Sequence, residues 1–288
     1  MNNENKITAG KVLLALLKAG CYLLLFLGSQ LLVTMAITII FTVFSVINGG
    51  GLNEALLIEQ VLGCTTHITL ISNLLALGIL ALFFLIRRKK PLGEAGLVKT
   101  RPPMVAAAAA LAPGLYAVVI TLLGFLPEEW LSAYNEASAA LNDTSVWALL
   151  ATVIAAPLAE EVVFRGLIQS RLNRVMPGWL SVVISALLFG LCHGQAVWMA
   201  YAFLLGLFFG WIALRSKSIL PTVVAHMIFN AIGHFSVYLP ETAPEWAFYL
   251  FTGGLLLLSV VCCLLARRGM ADLFRRPAQI PNEVIDHE

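Results

Sequence analysis

Long apolar segments alternate with short polar ones along the chain. Segments of about 20 apolar residues can cross a hydrocarbon core of roughly 30 Å as helices. These segments are continuously apolar, whereas the strands of a membrane barrel alternate apolar and polar positions. The pattern predicts an all-α polytopic membrane protein with about eight transmembrane helices. The predicted spans cover residues 13–47, 62–86, 104–125, 146–174, 179–194, 197–214, 219–239 and 246–266.

The charged residues predict how these helices are oriented. With eight spans and a cytoplasmic N-terminus, every Lys and Arg falls on or near the cytoplasmic side, and the outer loops carry only acidic charges. The positive-inside rule describes this distribution, so we expect both termini to be cytoplasmic. The acidic residues of the outer loops are Glu54, Glu59, Glu128, Glu129, Glu136, Asp143, Glu241 and Glu245.

The composition agrees with a membrane protein. The 288 residues are 60% hydrophobic and 12% charged, with a mean hydropathy of +0.89, whereas a soluble domain is about 25% charged. The net charge of +2 gives no indication of nucleic-acid binding. The five cysteines show no CxxC or zinc-ribbon spacing, so we expect them to be packing residues.

We predict a single membrane domain over residues 1–288, without a soluble domain or an internal repeat. Its parts are an N-terminal three-helix part (1–125), a catalytic core (145–235), a last helix (246–266) and a polar tail (267–288). Residues 272–288 of the tail are expected to be disordered. The outer segment 126–145 is either an amphipathic helix at the membrane interface or an ordinary loop.

Two adjacent glutamates and an arginine lie inside the fourth apolar segment. Charges at this depth cost a few kcal/mol each and are kept where they face a protein interior or a wet cavity. Glu161 and Arg165 are four residues apart, share one helical face and are expected to pair. Glu160 is rotated by about 100° from Glu161, which makes it the candidate base. Pro157 is expected to kink the helix and admit water. The alternative is a salt bridge that only packs helices.

Two later segments contribute histidines. Phe189 and His193 are four residues apart, so the phenyl ring can shelter the imidazole, and Gly190 and Gly194 permit close helix approach. Packing or simple hydrogen bonding is the alternative for this single histidine. The motif Gly206 to Gly210, with its GxxxG spacing, indicates close helix contact only.

His226 and Asn230 lie one turn apart in the seventh segment. Both can donate hydrogen bonds to one point, as an oxyanion requires. The alternative is that they join neighbouring helices. At 1.5 Å per residue, these two residues, Glu160 and His193 fall into one layer between the cytoplasmic half and the middle of the membrane. We therefore expect a shared cavity that opens to the cytoplasm.

The ordered set EExxxR, FxxxH and HxxxN resembles the CPBP family of CAAX prenyl protease 2-like intramembrane glutamic endopeptidases, which has many bacterial members. The resemblance covers about residues 145–235. It implies an integral protein of a bacterial cytoplasmic membrane and a metal-independent peptidase. The implied catalytic residues are Glu160 and His193, which activate water, and His226 and Asn230, which stabilise the oxyanion. The implied supporting residues are Glu161, Arg165 and Phe189.

Other catalytic types fit the sequence less well. A glutamate and two histidines can ligate zinc with an open position, but the chain lacks the HExxH pattern. We expect no cofactor, with zinc as the alternative. An aspartyl protease needs two membrane aspartates, whereas Asp143, Asp272 and Asp286 lie outside the predicted spans. A rhomboid-like GxS motif is absent from the sequence.

Three functions are therefore compared. The favoured one is an endopeptidase that hydrolyses a peptide bond of a membrane-associated or lipidated peptide. A non-catalytic scaffold or bacteriocin-immunity factor of the same fold is the alternative. A transporter with a proton relay would favour an internal repeat, which the sequence lacks. The expected partners are the peptide or lipidated-protein substrate and the lipid bilayer, with no nucleic acid and no indicated oligomeric state.

Overall fold

The fold consists of helices joined by short loops. A computed structural model describes residues 7–48, 53–139, 143–236 and 244–275, and this part of the chain contains no strand. Each of the eight predicted apolar segments is a helix, and six of these helices are long and apolar enough to cross a membrane. The prediction of an all-α polytopic membrane protein is confirmed.

The helices follow the predicted segments closely. The other two helices, Gly178–Leu191 with 14 residues and Leu220–Ser236 with 17 described residues, are shorter than these six. The helices are α1 (Ala9–Ile47), α2 (Glu54–Gly63), α3 (Thr65–Ile86), α4 (Pro91–Glu94), α5 (Pro102–Leu123), α6 (Glu128–Ala139), α7 (Val146–Leu172), α8 (Gly178–Leu191), α9 (Ala196–Ser216), α10 (Leu220–Ser236), α11 (Glu245–Leu265) and α12 (Arg267–Phe274).

Two alternatives from the sequence are resolved by these bounds. The outer segment 126–145 contains a helix, α6, rather than an ordinary loop. The beginning of the polar tail forms α12, and Leu273 is fully buried there, so residues 272–274 are packed instead of disordered. Residues 276–288 of the predicted tail, and Glu241, lie outside the described residues.

The helix α7 occupies the centre of the fold. In its most apolar stretch 56% of the residues are buried, compared with 6% for α1 and 11% for α11. The outward faces of α1 and α11 carry exposed leucine, isoleucine and valine, which suits contact with lipid. The buried cluster around Phe164, Leu167 and Ile168 of α7 includes side chains from α1, α3, α8, α9 and α10. The helix that carries the glutamates is thus enclosed by protein.

Two stretches of α7 are wound as π-helix, Leu149–Ala155 and Glu161–Gln169. A π-helical turn bonds residue i to i+5 and is frequent at functional sites. Pro157 lies in the short α-helical stretch between them, where it cannot donate a backbone hydrogen bond. The glutamate pair Glu160 and Glu161 stands at the junction with the second π-helical stretch, so the local winding sets the directions of both carboxylates.

The helices α8 and α9 pack closely against each other through glycines. A Cβ atom added to Gly206 would lie 2.9 Å from the Cα atom of Ala186, and one added to Gly190 would lie 2.8 Å from the carbonyl oxygen of Met199. A Cβ atom at Gly210 would lie 2.8 Å from Gln169 on α7. The close contact predicted for the GxxxG motif is present, and it brings α9 against the helix that carries Arg165.

The loop between α3 and α5 packs under α7. Gly96, in a left-handed conformation with φ of 77°, accepts a hydrogen bond of 3.0 Å from the backbone N–H of Ile219. Ser218 donates to the carbonyl of Val98 at 2.7 Å. Glu94 pairs with Lys89 at 3.0 Å and also with Arg171. The hydrogen bond from Lys89, helped by the charge of Arg171, lowers the pKa of the Glu94 carboxyl, which keeps it ionised at neutral pH.

The contact between Gly166 and this loop gives a prediction about stability. A Cβ atom at Gly166 would overlap the carbonyl oxygen of Ala95, and backbone cannot move aside as a flexible side chain can. We expect Gly166→Ala to lower the free energy of unfolding by about 3 kcal/mol or more, the upper range for overpacking. Thermal unfolding in detergent measures this change.

The matched control is Gly78→Ala in α3, because nothing lies within 4 Å of a Cβ atom there. In a helix interior this change is expected to be neutral or to stabilise by about 0.5–1 kcal/mol. If both variants unfold like the wild type, the close packing of the loop against α7 is contradicted.

Candidate active site

The two adjacent glutamates of α7 have different surroundings. The Glu161 side chain is completely buried, whereas the Glu160 side chain is 19% exposed and lines a cavity. This difference follows from the rotation of about 100° between neighbouring helix positions. Only Glu160 is placed to meet a water molecule or a ligand.

The buried carboxylate of Glu161 forms an ion pair with Arg165. Arg165 Nη1 lies 3.1 Å from Glu161 Oε1, and both side chains are almost fully buried. The guanidinium also lies over the ring of Phe189, 4.3 Å from its centroid, and Nη2 donates to the carbonyl of Gly206 at 3.4 Å. The predicted pair is present, and Phe189 supports it through a cation–π contact.

Glu161 has a second partner that sequence reasoning missed. His226 Nδ1 lies 3.0 Å from Glu161 Oε1. A carboxylate can only accept, so Nδ1 carries the proton of this hydrogen bond. The imidazole is stacked on Phe209 with ring centroids 4.9 Å apart. Its other nitrogen, Nε2, lies 3.7 Å from Glu160 Oε2. His226 therefore stands between the two carboxylates.

His193 lies just beyond the end of α8. The helix ends at Leu191, and His193 is followed by Gly194 at a φ of 73°. No atom lies within 4 Å of a Cβ atom added to Gly194. The expectation that Gly194 permits close helix approach is therefore wrong. Its left-handed conformation, which glycine adopts without strain, instead turns the chain after the histidine.

One hydrogen bond orients the His193 ring. Nδ1 lies 2.8 Å from the carbonyl oxygen of Phe189, so Nδ1 carries a proton and donates it. In the neutral ring Nε2 is then unprotonated and can accept a proton. The ring also packs edge-to-face on Phe189 at 4.8 Å, which gives the predicted sheltering contact.

The orientation of Asn230 depends on the proline in α7. The backbone N–H of Ala156 bonds to Ala151, and Pro157 has no N–H. The carbonyl of Thr152, five residues before Pro157, is therefore left without a donor from the next turn. Asn230 Nδ2 donates to this carbonyl at 2.8 Å. Its amide carries a second N–H, and Asn230 lines the cavity.

A cavity of about 750 Å³ joins these residues. Glu160, His193, His226 and Asn230 all line it, so the structure brings together the four predicted catalytic residues. Aromatic and uncharged polar side chains form much of the remaining wall, including Tyr116, Tyr134, Tyr201 and Asn73. A volume of this size accommodates a peptide segment.

The cavity wall is built from other parts of the chain than the sequence suggested. We expected it to open at the end of the molecule that carries the basic loops. Among the described residues, none of those that line it comes from segments 87–101, 169–179 or 211–222, which form that end. Lining residues instead include Leu131 and Asn135 of α6 and Ser236 at the end of α10. At the basic end, the loop around Gly96 is packed against Gly166 and Ile219.

The N-terminal helices contribute residues to the wall that sequence reasoning did not select. Gln30 of α1 and Thr69 and Asn73 of α3 line the cavity. Asn73 is 2% exposed, its Nδ2 donates to the carbonyl of Thr69 at 2.8 Å, and its Oδ1 has no partner among the described residues. The signal in the sequence was that Thr69 and Asn73 are four residues apart and therefore share one face of α3.

The described residues contain no group of three or more His, Cys, Asp or Glu side chains arranged to hold a metal ion. Glu160, Glu161 and His226 lie close together, but Glu161 already accepts from His226 and pairs with Arg165. Metal-independent chemistry stays a prediction that a chelator can test.

The long apolar helices, with ionisable residues grouped around one cavity, define an integral membrane protein. Residues 142–232 match the family model described as Type II CAAX prenyl endopeptidase Rce1-like. No curated protein and no solved structure matches the chain. This match covers about a third of the chain and confirms the predicted resemblance to the CAAX prenyl endopeptidases, a family of membrane proteases.

Proposed function

We propose that this protein is an intramembrane endopeptidase that uses Glu160 to activate water. The observation that carries the proposal is the position of Glu160 on the cavity wall. Its Oε2 atom lies 3.7 Å from His226 Nε2, and His193 and Asn230 line the same cavity. Two bases and two hydrogen-bond donors around one space match the needs of peptide hydrolysis.

The first chemical step is the attack of water on the substrate carbonyl. The Glu160 carboxylate removes a proton from water as the oxygen bonds to the carbonyl carbon. The unprotonated Nε2 of His193 accepts the water's other hydrogen in a hydrogen bond and orients it. The carbonyl π electrons move to oxygen and give a tetrahedral oxyanion. Collapse of this intermediate breaks the carbon–nitrogen bond, and Glu160 returns its proton to the leaving amine. One peptide and one water become one acid and one amine.

The oxyanion needs donors, and Asn230 and His226 are the candidates. The second N–H of Asn230 is available because the first is held by the Thr152 carbonyl. His226 donates from Nε2 only when its ring is doubly protonated, because Nδ1 already donates to Glu161. Glu161 and Arg165 position His226 and do not touch the substrate.

The proposal is tested with purified wild-type protein in liposomes and a library of lipidated and unmodified peptides, read by mass spectrometry. We expect cleavage by the wild type, loss of cleavage in Glu160→Gln, and full activity in Glu59→Gln, an exposed carboxylate of α2 outside the cavity. We also expect activity to persist in a chelator. Loss of activity in the chelator would favour zinc. Absence of any cleavage would favour the scaffold or immunity function.

A prediction about substrate binding follows from Asn73. Its Oδ1 atom is a buried acceptor without a partner among the described residues, and it belongs to the cavity wall. With the amide turned toward the cavity, this oxygen would accept from a backbone N–H of a bound peptide. We expect Asn73→Leu, which keeps the size and removes the acceptor, to raise KM about tenfold, equivalent to one hydrogen bond of roughly 1.4 kcal/mol, with little change in kcat.

Ser72→Ala is the matched control, because Ser72 is equally buried on α3 but does not line the cavity. A second measurement uses the cleaved peptide with single N-methyl groups along its backbone. The wild type should lose affinity at one position, and Asn73→Leu should be insensitive there. Equal sensitivity of the two proteins at every position would contradict this contact.

A further inference from the structure

The two ends of the helical bundle carry opposite charge. The basic segments lie against one another, as direct contacts show. Arg101 pairs with Asp272 at 2.8 Å, Arg215 donates to the carbonyl of Leu273 at 2.8 Å, and Thr100 donates to the carbonyl of Ser216 at 3.3 Å. The loops after α3, α9 and α11 therefore meet at one end, which we call the basic end.

The acidic side chains at the basic end are paired with cations. Glu94 pairs with Lys89 and Arg171, and Asp272 pairs with Arg101. This end also carries basic residues besides those in these pairs. The described basic residues of this end include Arg87, Arg88, Lys90, Lys99, Arg174, Lys217, Arg267 and Arg268. The positive-inside rule assigns such an end to the cytoplasm.

The opposite end, which we call the acidic end, has no described Lys or Arg. It is formed by α2, α6 and the starts of α7 and α11, and its described acidic residues are Glu54, Glu59, Glu128, Glu129, Glu136, Asp143 and Glu245. The backbone N–H of Ser145 donates to Asp143 at 2.8 Å and lowers the pKa of that carboxyl, which keeps it ionised.

The cavity extends from the middle of the bundle toward the acidic end. Glu160 stands near the middle of α7, between Val146 at the acidic end and Leu172 at the basic end. From this depth the wall continues through Ala156 and Thr152 toward Val146, and through Asn230 and Gly233 toward Ser236. Both helices run from the catalytic groups to the acidic end.

The amphipathic helix α6 forms part of the cavity wall at the acidic end, and we call this part of the cavity the mouth. Leu131, Tyr134 and Asn135 line the cavity, and Tyr134 packs edge-to-face on Trp198 and Tyr201 at 6.3 and 6.2 Å. Glu129 and Glu136 of the same helix are exposed. The apolar and aromatic side of α6 thus faces the cavity, and its acidic side faces away.

We infer that the catalytic cavity opens to the extracytoplasmic side of the membrane, and that the substrate is a peptide segment exposed on that side. The opening follows from the cavity and the charge distribution alone. The substrate class rests in addition on the proposed peptidase function. An exported or membrane-anchored peptide that has crossed the bilayer reaches the mouth at α6, whereas a lipidated cytoplasmic protein meets the closed basic end.

Cysteine labelling tests the opening without any substrate. The five native cysteines are replaced by alanine, and a single cysteine is introduced as Asn135→Cys at the mouth or as Arg174→Cys at the basic end, two exposed positions. Intact bacterial cells that express each variant are treated with a membrane-impermeant maleimide, before or after permeabilisation. We expect Asn135→Cys to be labelled equally in both cases and Arg174→Cys to be labelled only after permeabilisation.

The reverse pattern, or labelling of both positions in intact cells, overturns the inferred opening and leaves the peptidase proposal untouched.

A second experiment measures activity. The peptide cleaved by the wild type is added outside sealed, right-side-out vesicles or trapped inside them. Cleavage only from outside supports the inferred substrate class, and cleavage only from inside overturns it. If no peptide is cleaved in either position while the labelling is as expected, the peptidase proposal and its substrate class fail but the opening stands.

Discussion

Replacing Glu160 by glutamine is expected to slow peptide cleavage by about 10³-fold or more while leaving the fold intact. General acid–base catalysis by a positioned side chain contributes about 10²–10⁴-fold, and Glu160 is proposed both to accept the proton of water and to return it to the amine. Glutamine has the same shape and cannot do either. Because the side chain is 19% exposed and does not belong to the Glu161–Arg165 pair, its replacement removes no buried charge pair.

The measurement is kcat for the peptide selected from the library, with thermal unfolding as the check on the fold. The matched control is Glu59→Gln, which removes an exposed carboxylate far from the cavity wall. A Glu160→Gln variant that retains more than about a tenth of kcat would show that Glu160 is not the base. His193 would then be the remaining candidate, because its Nε2 is free to accept a proton.

The second large effect is on stability. Arg165→Met is expected to lower the free energy of unfolding by about 3–5 kcal/mol, because it leaves the buried carboxylate of Glu161 without its cation. Methionine fills much of the same space and keeps contact with Phe189. Arg174→Met, which removes an exposed arginine, should change stability by less than about 0.5 kcal/mol. Unfolding in a denaturant series in detergent measures both.

The double variant Arg165→Met with Glu161→Gln separates stability from catalysis. Removing both charges together is often neutral where removing one is costly, so we expect most of the lost stability to return. Activity should stay low, because the carboxylate that holds the proton of His226 Nδ1 is gone. Recovery of activity together with stability would mean that Glu161 does not position His226.

Much of the fold could be predicted from local patterns. Apolar length alone located the eight helical segments, and the spacing of four residues between Glu161 and Arg165 correctly predicted their ion pair. The separate surroundings of Glu160 and Glu161 also follow from helical geometry, because neighbouring positions on a helix face different directions.

Features that depend on how helices rotate against one another could not be predicted. The contact between His226 and Glu161 joins residues that are distant in sequence, and no periodicity encodes it. The packing of Gly96 against Gly166 and Ile219 at the basic end also joins distant parts of the chain, and a hydropathy profile does not contain it. A run of apolar residues also does not indicate that α8 ends at Leu191, before His193.

Because Pro157 has no N–H, the entropic cost of ordering the Asn230 side chain is met before a substrate binds. The carbonyl that it leaves free holds one arm of the Asn230 amide before any substrate arrives. A side chain that is already immobilised loses no rotational freedom when a charge develops beside it, so its ordering cost is met during folding instead of during the reaction. Pro157→Ala would supply a backbone donor that competes with Asn230 for the Thr152 carbonyl. An amide held less firmly would then have to be ordered again in every catalytic cycle.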